Sequence, residues 1–216
     1  MTEVANQPRR RYAGKPAAER RAERRERLLE AGLQLFGGGP GFRAASVSAL
    51  CETAGLSTRQ FYQEFHNLEE VLAVLHARVN DLAEQAAVEA LTRTAGQDIG
   101  RRATAAFRAY AASVTDDPRR VRLAFVEVVG VSPGMERRRM ERRTRWAELI
   151  HAELMAAGGG DEAASRAYRV ATTAFVGAVN GLVHDWSAGY VDATLDEIAA
   201  ALVNMLVGIP REPPSR

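Results

Sequence analysis

The sequence predicts an all-α fold in which a three-helix head carrying a helix-turn-helix precedes a C-terminal helical bundle. Three observations predict it. Apolar residues recur at helical spacing from about residue 19 almost to the end and never give way to strand-like alternation. The breaks in that pattern fall at Gly, Pro and Asp clusters. The stretch 46–65, SVSALCETAGLSTRQFYQEF, reads as a short helix, a glycine turn and a second short helix.

Residues 1–18 are polar, charged and contain two prolines, and read as a disordered basic arm. Leu28, Leu29, Leu33, Leu35 and Phe36 form the apolar side of a first helix, which starts near Glu19 and stops at Gly37-Gly38-Gly39-Pro40-Gly41. That glycine run is read as a helix terminator. It lacks the Lys-Ser/Thr of a phosphate loop, and no strand leads into it. Helices over 46–53 and 58–65 follow, and a longer one opens at Asn67, which can cap it while Glu70 reaches back to the Asn67 amide. Further helices are expected over 97–115, 118–130, 133–157, 162–188 and 192–207. The reading divides the chain into the arm, a head over 19–76, a sensing and dimerising body over 77–210 and a disordered tail over 211–216. No internal repeat is visible.

The chain has 216 residues, 46% of them hydrophobic and 26% charged, as in ordinary soluble proteins. No apolar run approaches a membrane span, the N-terminus lacks the apolar middle of a signal peptide, and the single cysteine, Cys51, has no intrachain partner. A cytoplasmic protein with no membrane partner is expected. The net charge of +2 is unevenly placed. Residues 1–27 carry nine Lys/Arg against four Glu, residues 28–80 three against five, and residues 81–216 seventeen against eighteen. The basic front reads either as a phosphate-contacting arm or as a solubilising tail. Lys15 is the only lysine, so the positive charge is almost wholly arginine.

Within 46–65, Val47 and Leu50 share one face of the first short helix, and Leu56, Phe61 and Phe65 supply the matching side across the turn. Cys51 and Ala54 are small where the two helices must approach. Gly55 accepts the positive φ of the turn, and Ser57 with Gln60 makes a capping box. With Phe61 and Phe65 inward, Thr58, Arg59, Tyr62 and Gln63 face outward. Arginine reads guanine bidentately, and hydroxyl groups suit phosphate oxygens. The plainer reading is a helical hairpin with a polar outer face.

The segment 22–76 resembles the DNA-binding domain of the tetracycline-repressor (TetR) family. The likeness rests on Leu35-Phe36, Gly41-Phe42, Ser46-Val47, Ala54-Gly55-Leu56-Ser57, Phe61-Tyr62-x-x-Phe65 and Glu69-Glu70-Val71-Leu72. It implies that helix 58–65 enters the major groove of double-stranded DNA, that Ser46 and Tyr62 hold phosphates, and that a homodimer binds a palindromic operator. The candidate DNA-contacting residues are Arg43, Ser46, Ser48, Ser57, Thr58, Arg59, Gln60, Tyr62, Gln63 and His66. The sequence departs from the family at Thr58, Arg59, Glu64 and Leu68, where the family often has a basic, a small, an aromatic and a lysine residue. Arg59, Arg43, His66 and Arg20, Arg21, Arg24 and Arg25 are expected to make up the missing attraction, and Glu64 is read as a solvated carboxylate that keeps off wrong sequences rather than as an acceptor from cytosine.

In the body, a stripe of small residues (Ala174, Gly177, Ala178, Gly181) together with Leu195, Ile198 and Leu202 reads as a dimer interface, or else as core. Phe107, Tyr110, Phe125, Val129, Trp146 and Phe175, with Asn180 and His184 as polar contacts, are candidate walls of a pocket for an unidentified small-molecule effector; aromatics at this spacing also suit plain core. Glu127 sits in the apolar run LAFVEVVGV and calls either for an arginine partner, the favoured reading, or for a cationic ligand. Six arginines between Met135 and Trp146 read as a solvated, salt-bridged face in preference to a second anion site, with Glu141 and Arg145 spaced for a helical pair. An enzyme is not indicated. There is no nucleotide loop, zinc helix or nucleophile elbow, and His66, His76, His151 and His184 show no metal-ligand spacing. No cofactor or metal is expected. The implied function is a ligand-released transcriptional repressor. An activator of the same fold, or an interaction module whose head no longer reads an operator, are the alternatives.

Overall fold

A computed structural model describes residues 16–158 and 162–208. Their regular structure is helical, with helices α1 (Ala17–Leu33), α2 (Val47–Ala54), α3 (Thr58–Glu64), α4 (Leu68–Arg93), α5 (Ile99–Thr115), α6 (Pro118–Arg122), α7 (Pro133–Gly158), α8 (Glu162–Ser187) and α9 (Leu195–Val207). Most of the anticipated arm and all of the 211–216 tail lie outside the described residues, as do Gly159 and Gly160. The arm's last two residues, Ala17 and Ala18, already belong to α1.

Two π-helical turns extend regular helices, α1 through Gln34–Gly38 and α6 through Leu123–Glu127. The glycine run is therefore a terminator with a further use. Gly37 lies against α6 so closely that a Cβ there would sit 2.3 Å from the Arg119 carbonyl oxygen. Only a residue without a side chain lets the two backbones meet.

Capping behaves largely as the sequence dictates. The side chains of Ser46, Ser57, Asn67, Asp98, Asp117 and Thr194 each accept from an amide of the helix they precede. One detail differs. Glu70 reaches past Asn67 and accepts from the His66 amide at 2.8 Å, which also fixes the turn into α4.

The core is continuous between head and body. Leu28, Leu29, Phe36, Leu50, Phe61, Phe65, Val71 and Leu72 pack in one cluster with Val114, Val121, Leu123, Phe125, Val128 and Met135. The boundary placed after residue 76 falls inside α4, which serves both halves. A second cluster joins Phe107 and Ala111 of α5 to Phe175 and Val179 of α8 and to Ile198, Leu202 and Leu206 of α9. Among the described residues no helix is long and apolar enough to cross a membrane, and no three His, Cys, Asp or Glu side chains gather as a metal site would require.

Candidate nucleic-acid interface and effector cavity

The head's geometry follows from its small residues and its caps. α2 ends on Gly55, at φ 61° and ψ 41°, a left-handed conformation that turns the chain directly into α3. Ser57 and Gln60 close a complete capping box at the start of α3. Phe61 and Phe65 are buried, and their rings lie 6.1 Å apart. Cys51 is buried where α2 meets its neighbours, and burial pushes its thiol up. With one side of α3 fixed in the core, Thr58, Arg59, Tyr62 and Gln63 are exposed, Tyr62 at 59%. Ser46 and Ser48 at the start of α2 are exposed as well.

The rest of the anticipated DNA-contacting set has work inside the protein. Gln60 is half-buried, and its Oε1 accepts from the Ser57 amide at 2.9 Å. His66 is exposed, with Nδ1 2.9 Å from Glu70 Oε2. Arg43 Nη2 donates to the Gly130 carbonyl at 3.2 Å, so its guanidinium leans on the body.

Glu64 corrects the sequence reading outright. Its side chain is 0% exposed, not solvated, and it accepts from Arg21 Nε at 3.0 Å and Arg24 Nη2 at 2.9 Å. Arg25 donates to the Glu64 carbonyl at 2.9 Å and lies 4.2 Å over the Phe65 ring. Three of the arginines expected to serve DNA thus hold α1 to α3. The chain places a carboxylate with its own cations on the inner side of α3.

Head and body are bolted together by polar contacts at the end of α1. Glu127 Oε2 accepts from the Phe42 amide at 2.7 Å while Oε1 accepts from Arg122 Nε at 2.9 Å, which supplies the arginine partner its apolar setting demands. Arg122 Nη1 also donates to the Gly39 carbonyl. Arg119 bridges Asp117 and Glu30, and Ser132 donates to Glu69 at 2.6 Å.

A cavity of about 110 Å³ lies in the body, walled by α5, α7, α8 and α9 and the far end of α4. Phe107, Tyr110, Trp146, Phe175 and Asn180 line it, as the sequence reading expected, with aliphatic residues such as Leu91, Ile150 and Val179. Its one carboxylate, Glu153, accepts from Arg102 at 2.5 Å. Three expected wall residues are elsewhere. Phe125 faces a smaller neighbouring hollow. Val129 is 38% exposed, because the π turn before it shifts the helical register and buries Val128 instead. His184 lies in the last turn of α8, bonded to Asp185.

The expected dimer residues divide in the same way. Ala174 and Gly181 are exposed on α8, Gly177 and Ala178 half so, and a Cβ on Gly181 would meet nothing within 4 Å. Val170, 68% exposed, continues the row one turn earlier and was missed because it is not small. Leu195 is half-buried. Ile198 and Leu202, exposed by only 4% and 2%, pack inside their own chain against α5 and α8 and are no part of an outer face. The arginine-rich stretch of α7 is salt-bridged as expected, but mainly across to α4: Arg142 pairs with Asp81, and Arg145 takes Glu84 in place of Glu141.

The fold and head together define the architecture of a TetR-type regulator, an N-terminal helix-turn-helix domain joined to a C-terminal helical domain. No protein-family model matches the sequence, and no curated protein is significantly similar to it. Solved structures do match. A TetR-family transcriptional regulator from Syntrophomonas wolfei superposes with a TM-score of 0.71 at 16% identity, covering 88% of this chain and 97% of that one. The regulator FadR from Bacillus subtilis, in complex with stearoyl-CoA, gives 0.69 at 15% identity over 85% and 97%. AibR, bound to isovaleryl coenzyme A and operator DNA, gives 0.62 at 17% identity over 84% and 97%. The chain has the fold of TetR-family regulators.

Proposed function

We propose that the protein is a ligand-responsive, sequence-specific DNA-binding transcriptional regulator, acting as a repressor. The observation that carries this reading is α3. It is capped at its start, packed on one side through Phe61 and Phe65, and offers Thr58, Arg59, Tyr62 and Gln63 outward in the manner of a recognition helix. Neighbours of the same fold that hold operator DNA and acyl-CoA ligands support it. The row Val170, Ala174, Gly177 and Gly181 on α8, exposed but for the half-buried Gly177, serves as the two-fold contact, which sets the spacing of two heads.

Repression would be relieved through the connections between cavity and head. Some of the residues that line the cavity belong to the same α4 that opens at Asn67 beside α3, and others to α5, which leads into α6 and its π-helical extension with their contacts to Gly37, Gly39 and Phe42. A ligand that prefers one arrangement of α4 and α6 shifts the heads away from successive major grooves, about 34 Å apart on B-DNA. Fluorescence anisotropy with DNA flanking the protein's own gene tests the reading. Saturable binding that survives excess unrelated DNA is expected, and binding competed equally by any duplex overturns it. A transcription readout then separates repressor from activator.

A further inference from the structure

Beside the apolar cavity lies a second hollow of about 30 Å³, and Tyr110, Trp146 and Asn180 belong to the walls of both. The smaller one is completed by His76, Asn80, Ala124, Phe125, Arg139, Arg142 and Arg143. Two of its three arginines are neutralised. Arg139 Nη1 lies 2.6 Å from Glu136 Oε2, and Arg142 pairs with Asp81 at 2.5 Å and Glu84 at 3.7 Å. Arg143 is different. It is half-buried against α8, with Nη2 3.3 Å from where a Cβ on Gly177 would stand, and no carboxylate pairs with it among the described residues. His76 contributes no charge at neutral pH, since burial, seconded by Arg139 and Arg142, lowers it to about 4.

The Tyr110 side chain adds a donor. Its ring is fixed by Phe107 at 5.7 Å and by Trp146 edge-on at 5.2 Å. The hydroxyl makes no hydrogen bond among the described residues, and burial pushes its ionisation well above the usual phenol range, so the proton stays on. Arg143, without a carboxylate partner among the described residues, and the Tyr110 side chain therefore line a hollow that adjoins a mainly apolar cavity. The guanidinium fork fits planar oxyanions best.

We propose that the effector is an amphiphilic anion, a hydrophobic carboxylic acid whose tail enters the cavity between α5, α7, α8 and α9 and whose carboxylate meets Arg143 and Tyr110. The proposal rests on the ligand-responsive reading above and names the ligand class for that cavity. The hollow of about 30 Å³ has room for a carboxylate-sized group. The free acid carries that carboxylate, whereas its coenzyme A thioester does not.

Calorimetric titration of the full-length protein with decanoate, decanol and decanoyl-CoA tests this, with operator release followed separately by anisotropy. Decanoate is expected to bind at least about 10-fold more tightly than decanol, as loss of a charge-assisted hydrogen bond implies. Arg143→Met should erase that preference by weakening decanoate far more than decanol. Tyr110→Phe, which keeps the ring and the packing, should weaken decanoate alone by about 3- to 10-fold and serves as the test should Arg143→Met fold poorly. Equal affinity for decanoate and decanol overturns the proposal, as does decanoyl-CoA binding tighter than decanoate, or decanoate binding indifferent to both substitutions. Preferential decanoate binding that leaves the operator complex intact supports the site and counts instead against the regulatory reading.

Discussion

Arg24 donates through Nη2 to Oε1 of Glu64 at 2.9 Å, so α1 grips the inner side of α3 through a carboxylate that has no exposure to solvent. The consequence is mechanical. A helix of seven residues has little stability of its own, and its orientation depends on what packs behind it. Replacing Glu64 by Ala leaves the Arg24 guanidinium, already a quarter exposed, without its partner and opens space beside Phe61. We expect a loss of roughly 2 kcal/mol, seen as a fall of about 4–8 °C in melting temperature. Glu64→Ala melting like the native protein would show that the pair does not anchor α3.

Arg59 and Tyr62 carry the outward chemistry of the same helix. Arg59→Ala should cost about 1–3 kcal/mol in operator binding and relax discrimination at one base position, if it reads guanine bidentately. Tyr62→Phe should weaken binding by a similar factor on every sequence, as loss of a phosphate contact does. Anisotropy titrations against a panel of single-base operator variants separate the two patterns. A uniform loss for Arg59→Ala would reassign it to the backbone.

The head was legible in the sequence because its determinants are local. Gly55, the Ser57–Gln60 box and the Phe61/Phe65 pair lie within eleven residues of one another, where helical spacing and cap chemistry suffice. Glu64 was misread because its partners lie 40 and 43 residues earlier in the chain. No local rule says that a carboxylate on a short helix meets another helix's arginines. The demand of Glu127 for an arginine was readable from its apolar neighbours, yet its bond to the Phe42 amide joins residues 85 apart. Periodicity identified the apolar side of α9 but not what covers it, and Ile198 and Leu202 proved to be covered by their own chain. Val129 failed for a third reason: a π turn adds a residue to the helical repeat, so spacing carried forward from Phe125 points to the wrong side.

Glu127 gives a test of how the two halves communicate. In Glu127→Gln the amide oxygen can still accept from Phe42, but the amide nitrogen then faces Arg122 Nε, donor against donor. The ion pair is lost while the core shape is kept. Operator affinity of the ligand-free protein should change by less than about threefold, whereas the factor by which a bound effector weakens operator binding should shrink by about 10-fold, equal to a charge-assisted bond of about 1.5 kcal/mol. Unchanged coupling in calorimetric titrations with and without effector would place the signal in α4 alone.

His76 makes stability depend on mild acid. In the native state burial, with Arg139 and Arg142 nearby, lowers its pKa to about 4 from an ordinary value of 6.5. The unfolded chain therefore takes up a proton as the pH falls through 6.5 while the folded chain does not. By linkage the native state loses stability on acidification, beginning near pH 6.5 and ending near pH 4, by on the order of 3 kcal/mol in all. Between pH 6.5 and 5 the expected loss is about 2 kcal/mol. The carboxylates of Glu26 and Asp117, which their arginine partners hold below the usual carboxylate range, and of Glu136, held down by the Gly130 amide and then by Arg139, give way only at lower pH, so this window belongs to the histidine. Urea denaturation at pH 6.5 and 5.0 measures the difference. His76→Gln, which keeps a polar side chain of similar length but does not titrate, should flatten the dependence over this interval. An equally steep loss in that variant would assign the acid sensitivity to another group.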